Sequence, residues 1–200
     1  MLLLVFAFSV AGCGGDDDSP TGPQQPAGPT VLVLGDDRSE THVRSTLAGY
    51  DYNHDMQDTG EAALVAFVQA GGGLLTTEWL AFSIDRSGYH QVLQTILPVR
   101  YGGSYGNGSE TWNVLVDHPV IENLPSSFVT ESSNQYSTVT PKSGATQLVR
   151  GSRSGASVVT WTRTGRVVSL SMAAEYGDRD VWNADLDQLF VDAVEFVAKR

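Results

Sequence analysis

The 200-residue chain has a single cysteine, Cys13, so nothing beyond it can supply a thiol nucleophile, a disulfide or a thiolate metal ligand. Basic residues are also scarce: 12 Lys and Arg stand against 23 Asp and Glu, a net charge of −11. That balance argues against a nucleic-acid partner and against docking on an anionic membrane surface. No apolar run reaches the roughly 20 residues that a membrane-crossing helix needs. His42, His54, His90 and His118 share no metal-ligand spacing, and the glycine-rich 102–108 stretch does not lead from a strand into a helix as a phosphate cradle must. No metal or cofactor is expected.

What is present begins at the N-terminus. Residues 1–12 are uncharged and apolar and end Val10-Ala11-Gly12-Cys13; the stretch to Pro29 is mostly Gly, Pro, Asp, Ser and Gln. The run is too short to span a bilayer and suits a secretory h-region of about 7–15 residues better than a core strand. The layout resembles a bacterial lipoprotein signal. The resemblance implies that residues 1–12 are removed, that Cys13 is lipidated, and that 13–29 form an extended Pro/Gly/Asp tether. A protein so built sits in the bacterial cell envelope, held to a membrane by its N-terminal lipid, on the periplasmic or extracellular face.

The folded part, residues 30–200, is long enough for one domain with a sizeable core. Val31–Leu34 and Leu74–Thr77 are continuous apolar runs, as expected of strands buried on both faces of a parallel sheet. A weak helix is expected over 39–47. Asp58-Thr59-Gly60-Glu61 resembles a capping box, followed by the helical face Ala63, Leu64, Phe67 and Val68, and Gly71-Gly72-Gly73 ends the segment. Tyr89, Val92, Leu93, Ile96 and Leu97 follow helical spacing up to Pro98. Residues 101–108 read as a loop, 112–116 as a strand, 117–119 as a turn and 122–147 as irregular with short β-like runs. Residues 157–162 and 167–172 read as a hairpin, and a clean amphipathic helix starts near Asn183 or Asp185.

Gly71-Gly72-Gly73-Leu74-Leu75-Thr76-Thr77-Glu78, the Asp117-His118-Pro119 turn with Leu124-Pro125, the 158–162 strand before Gly165-Arg166-Val167-Val168 and the closing helix together resemble ThuA-like domains of the class I glutamine amidotransferase-like superfamily. The resemblance implies a flavodoxin-like three-layer α/β sandwich with a mostly parallel central sheet, and a loose link to sugar utilisation. Only the polar 50–57 stretch is left for a strand between Leu34 and Leu74, so a sheet one strand short is one expectation. Where amidotransferases carry a catalytic Cys after the triple-glycine strand, and many ThuA-like proteins a His, this chain has Glu78. The region matching the family's later His and acid reads Ala174-Glu175-Tyr176-Gly177-Asp178. Thiolate-based glutamine hydrolysis is therefore excluded.

Two function classes follow. One is a non-catalytic envelope domain binding a carbohydrate or a protein partner, with Trp79, Tyr101, Tyr105, His118, Tyr176 and Asp178 as candidate ligand-binding residues. Trp and Tyr rings suit sugar faces because they pair an apolar body with a polar tip, and Trp182 is a further candidate ring. The other is a sugar-active hydrolase or isomerase with Glu78 and Glu175 as acid and base, since both follow strands and ligands bind at the carboxyl edge of open α/β sheets. Each residue also has a plainer role. Glu78 can cap the next helix, Glu175 can be a solvated loop acid, and His118 before Pro119 can be a structural hydrogen bonder.

Overall fold

A computed structural model describes residues 4–8, 30–34, 51–53, 61–163, 165–172 and 182–198. The expected 39–47 helix and the 173–181 segment lie outside them. The described chain is an α/β fold with a mixed sheet. Its strands are β1 (Leu4–Phe8), β2 (Thr30–Leu34), β3 (Asp51–Asn53), β4 (Gly73–Thr76), β5 (Val99–Asn107), β6 (Thr111–Val114), β7 (Ser127–Val129), β8 (Gln135–Pro141), β9 (Thr146–Gly151), β10 (Gly155–Trp161) and β11 (Arg166–Leu170). The main path runs β3-β2-β1-β4-β11-β10-β9-β6-β7, while β8 joins β10 through Gly155 and carries β5 on its other side.

Parallel pairing is confined to β2–β3, β4–β11 and the single β8–β10 contact. All other pairings are antiparallel, so the expectation of a mostly parallel sheet is corrected. Two sources account for this: β9, β10 and β11 follow one another through short turns that only antiparallel neighbours permit, and β1 runs against both β2 and β4. The polar 50–57 stretch does contribute a strand, the three-residue β3 at the end of the sheet path, a short edge position that tolerates polar sequence.

Helices α1 (Glu61–Gln69) and α2 (Glu78–Asp85) flank β4, and α3 (Ala184–Ala198) closes the fold. Side chains alternate across a strand, and the core divides accordingly. Leu74 and Val167 pack with Leu64 and Val68 of α1 and with Leu80 and Ile84 of α2. Leu75 and Val168 pack with Leu186, Leu189, Phe190 and Val194 of α3. Helices thus cover both faces of the β4–β11 pair. The Asn183 Oδ1 accepts the Leu186 N–H at 3.0 Å and caps α3, as its sequence implies.

Three readings of the sequence need correction. The periodic stretch from Tyr89 is a 3₁₀ helix (Gln91–Thr95), not an α-helix; Leu93, Ile96 and Leu97 are buried, but Tyr89 and Val92 face solvent. His90 precedes it with a left-handed backbone (φ 54°), tied at Nδ1 to Glu61 of α1, and Pro98 follows, leaving no room for a full helical pattern. Residues 101–107 are not a loop but most of β5, which ends before Gly108. The glycines there accommodate a bulge between Tyr101 and Tyr105, where Gly103 takes φ 101°. The 122–147 region is more regular than expected: its short β-like runs are β7, β8 and the start of β9.

Candidate functional site

The carboxyl end of β4 leads directly into α2. Thr77 is extended (φ −111°, ψ 179°) and Glu78 is the first helical residue. Because β4 and β11 are parallel, with Thr76 opposite Ser169, the chain leaving β11 after Met172 departs from the same sheet edge. Glu175, Tyr176 and Asp178 belong to that departing segment and lie outside the described residues.

From this edge α2 presents Trp79, Phe82 and Arg86 along one side, three and four residues apart as helical geometry requires. The opposite side, Leu80, Ala81 and Ile84, is buried in the core. Phe82 gathers three rings edge-on: Trp79 at 5.2 Å, Tyr101 at 5.3 Å and Tyr105 at 5.6 Å between centroids. The Arg86 guanidinium lies 5.8 Å from the Phe82 centroid, so a cation borders the cluster. Tyr105 is 60 % exposed, whereas Trp79, Phe82 and Tyr101 are half-buried. A shelf of rings results, with an open outer end.

Polar groups fix the shelf. Asp85 Oδ2 accepts the Tyr101 N–H at 2.8 Å and Oδ1 accepts Gln94 Nε2 at 2.9 Å, pinning the start of β5 to the end of α2. Arg100 approaches Asp85 Oδ1 at 3.4 Å. Within the bulge, Ser104 N donates to Thr138 Oγ1 at 3.1 Å, and Thr138 Oγ1 donates to Ser104 O at 3.0 Å. The Tyr101 hydroxyl is buried without a hydrogen-bond partner among the described residues, a condition that buried hydroxyls rarely keep.

The structure therefore brings together Trp79, Tyr101 and Tyr105. It does not bring His118 to them. His118 caps the short 3₁₀ helix Pro119–Ile121, its Nδ1 accepting the Val120 N–H at 3.2 Å, and its ring packs edge-on to Phe196 of α3 at 4.8 Å. Burial holds its pKa below the usual histidine value, which suits a ring that must keep one nitrogen unprotonated to accept. Trp182 is likewise a core residue, edge-on to Phe190. Among the described residues no group of three or more His, Cys, Asp or Glu is placed to hold a metal, and no helix is long and apolar enough to cross a membrane.

Phe82, Asp85 and Arg86 escaped the sequence reading. Phe82 and Arg86 were visible as the i+3 and i+7 companions of Trp79 on one helix stripe. Asp85 carried no local signal, since its partners sit on β5 and the 3₁₀ helix.

No family model and no curated protein matches the chain. Solved structures do. A ThuA-like protein from Bacteroides uniformis ATCC 8492 superposes with a TM-score of 0.65 at 14 % identity, over 84 % of this chain and 90 % of its own. The cytoplasmic protein STM3548 from Salmonella typhimurium gives 0.57 at 16 % identity, over 86 % and 72 %. A GMP synthase-like protein from Thermoplasma acidophilum gives 0.51 at 14 %, over 82 % and 92 %. At such identities the likeness concerns architecture: the chain has a ThuA/glutamine amidotransferase-like α/β fold.

Proposed function

We propose that this is a lipid-anchored envelope domain on a ThuA-like scaffold, without amidotransferase activity, that binds a carbohydrate on the Trp79–Tyr101–Tyr105 shelf. The observation that carries the reading is the convergence of these three rings on Phe82 beside the carboxyl edge of β4. A pyranose offers an apolar C–H face to a ring and a rim of hydroxyls to polar neighbours. Tyr105 supplies the open ring, and Arg86, over the Phe82 ring at the border of the cluster, supplies a polar group for the hydroxyl rim. The absence of any cysteine after Cys13 removes the thiolate chemistry associated with the scaffold.

A second reading, a sugar-active hydrolase or isomerase using Glu78 and Glu175, is favoured by one observation: β4 and β11 send their following segments off the same edge. A binding screen against mono- and disaccharides with wild type and Glu78→Gln separates the readings. Binding retained by Glu78→Gln, with no turnover by either protein, supports a binding module. Product formed by wild type and lost in Glu78→Gln supports the enzyme. The anchor is tested by growing cells on labelled palmitate, where label on wild type but not on Cys13→Ala is expected and an unlabelled wild type refutes it.

A further inference from the structure

We infer that β1 is a temporary occupant of the sheet, and that removal of residues 1–12 lets β2 move into its place and pair directly, in parallel, with β4. The inference rests on the reading of residues 1–12 as a cleaved leader. Its structural basis is the direction and register of the strands on either side of β1.

β1 runs antiparallel to both neighbours. Two strands antiparallel to the same strand are parallel to each other. β2 is also parallel to β3, and β4 is parallel to β11. With β1 taken out, β3, β2, β4 and β11 all run the same way, and β1 is the strand that breaks that order.

The registers agree as well. Leu4 pairs with Leu34 on one side and Thr76 on the other; Val5 with Val33 and Leu75; Phe6 with Leu32 and Leu74; Ala7 with Val31 and Gly73. Across β1, therefore, Leu34 already stands opposite Thr76, Val33 opposite Leu75, and so on down the strand. Closing the gap needs a lateral move of one strand spacing, about 4.8 Å, and no slip along the strand. A slip of one residue would have turned every side chain to the wrong face.

The two strands are also interchangeable in character. Leu4–Phe8 reads Leu-Val-Phe-Ala-Phe and Thr30–Leu34 reads Thr-Val-Leu-Val-Leu, so an apolar strand of the same length replaces the first. Helix α3 already packs across β1 as well as β4 and β11, and β2 in the vacated lane would lie under that helix. The driving force is general: without β1, the inner edges of β2 and β4 expose unpaired N–H and C=O groups in the middle of a sheet, and such groups are rarely left unpaired. The move carries the carboxyl end of β2 next to that of β4, at the edge where Thr77 leads into α2.

Cysteine pairs report the arrangement. In a full chain made by cell-free synthesis without membranes, carrying Cys13→Ala and a specific protease site within 19–29, the Leu4→Cys/Thr76→Cys pair is expected to oxidise to a disulfide. The Leu34→Cys/Thr76→Cys pair is not, because two strand spacings, roughly 9.6 Å, exceed the span of a disulfide. After cleavage and gel filtration, Leu34→Cys/Thr76→Cys is expected to cross-link within the folded chain. A Leu34→Cys/Thr76→Cys pair that links before cleavage, or stays unlinked after it, overturns the inference. Amide exchange in the chain without added cysteines gives a second readout: protection at 73–76 that survives cleavage supports closure, and its loss contradicts it. The leader itself is judged separately, by the mass of the protein isolated from producing cells. An intact N-terminus there refutes the leader without altering the result in vitro.

Discussion

Replacing Lys142 by Met should make the domain's stability less dependent on alkaline pH, by an amount that follows from the surroundings of the ammonium. Lys142 Nζ donates to the Gln94 carbonyl and lies 5.7 Å from the centroid of Trp161. Burial, then the nearby Arg100 charge, push its pKa down from 10.5 to about 8, with Asp85 opposing them. At pH 7 the side chain is charged in both the folded and unfolded states, and the folded state carries the cost of holding that charge. As pH rises through 8 the folded protein releases the proton first, the unfolded chain then holds more protons, and stability increases until about pH 10.5. At full value such a depression corresponds to about 3 kcal/mol. Lys142 is only half-buried, so solvent screening reduces this to about 1 kcal/mol. Thermal melts at pH 7 and pH 10 measure it, because titrations elsewhere are common to both proteins and cancel. Wild type should gain on Lys142→Met by about 1 kcal/mol over that range, equivalent to about 2–4 °C in Tm. A constant difference between the two proteins, or one that moves the other way, refutes the assigned environment.

Two further outcomes test the core. Gly73→Ala places a Cβ against the Val197 carbonyl of α3, an overlap with backbone that cannot be relieved by a rotamer, and should cost about 1–3 kcal/mol in chemical denaturation; an unchanged midpoint would mean α3 does not approach β4 as described. Glu110 is buried, and its Oε2 accepts the N–H groups of Arg153 and Ser154 at 2.9 Å each, fixing the β9–β10 turn. Glu110→Ala strands both donors and should cost about 3 kcal/mol, with Glu110→Gln recovering part of it through its remaining oxygen; equal loss in both variants would contradict that account.

What the sequence made legible was local. The Leu64–Val68 stripe of α1, the β10–β11 hairpin, the start of α3 near Asn183 or Asp185 and the structural role of His118 all depend on residues within a few positions of one another. What it concealed was pairing at a distance. Gly102 to Gly108 looks like a loop because glycines dominate it, yet Ser104 meets Thr138 thirty-four residues later and the segment becomes a strand. The Tyr89–Leu97 spacing fits an α-helix, but the left-handed His90 and its tie to Glu61 impose a shorter 3₁₀ turn. The site was legible in the same partial way. Trp79, Tyr101 and Tyr105 could be named as candidate rings, but not as neighbours, because Phe82 joins them across two elements. Glu110, flanked by Ser109 and Thr111, gave no sign that two backbone donors about forty residues on would bury it.

Titration calorimetry of the best saccharide from the screen, against wild type, Tyr105→Ala and Tyr89→Ala, tests the central claim most directly. Tyr89 is as exposed as Tyr105 but stands apart from the shelf, so it controls for the loss of a surface ring. Loss of one stacking ring is worth about 1 kcal/mol, roughly fivefold in affinity. The proposed site requires that weakening in Tyr105→Ala and unchanged affinity in Tyr89→Ala. Equal affinity in all three proteins, or no saccharide binding by wild type, would contradict it.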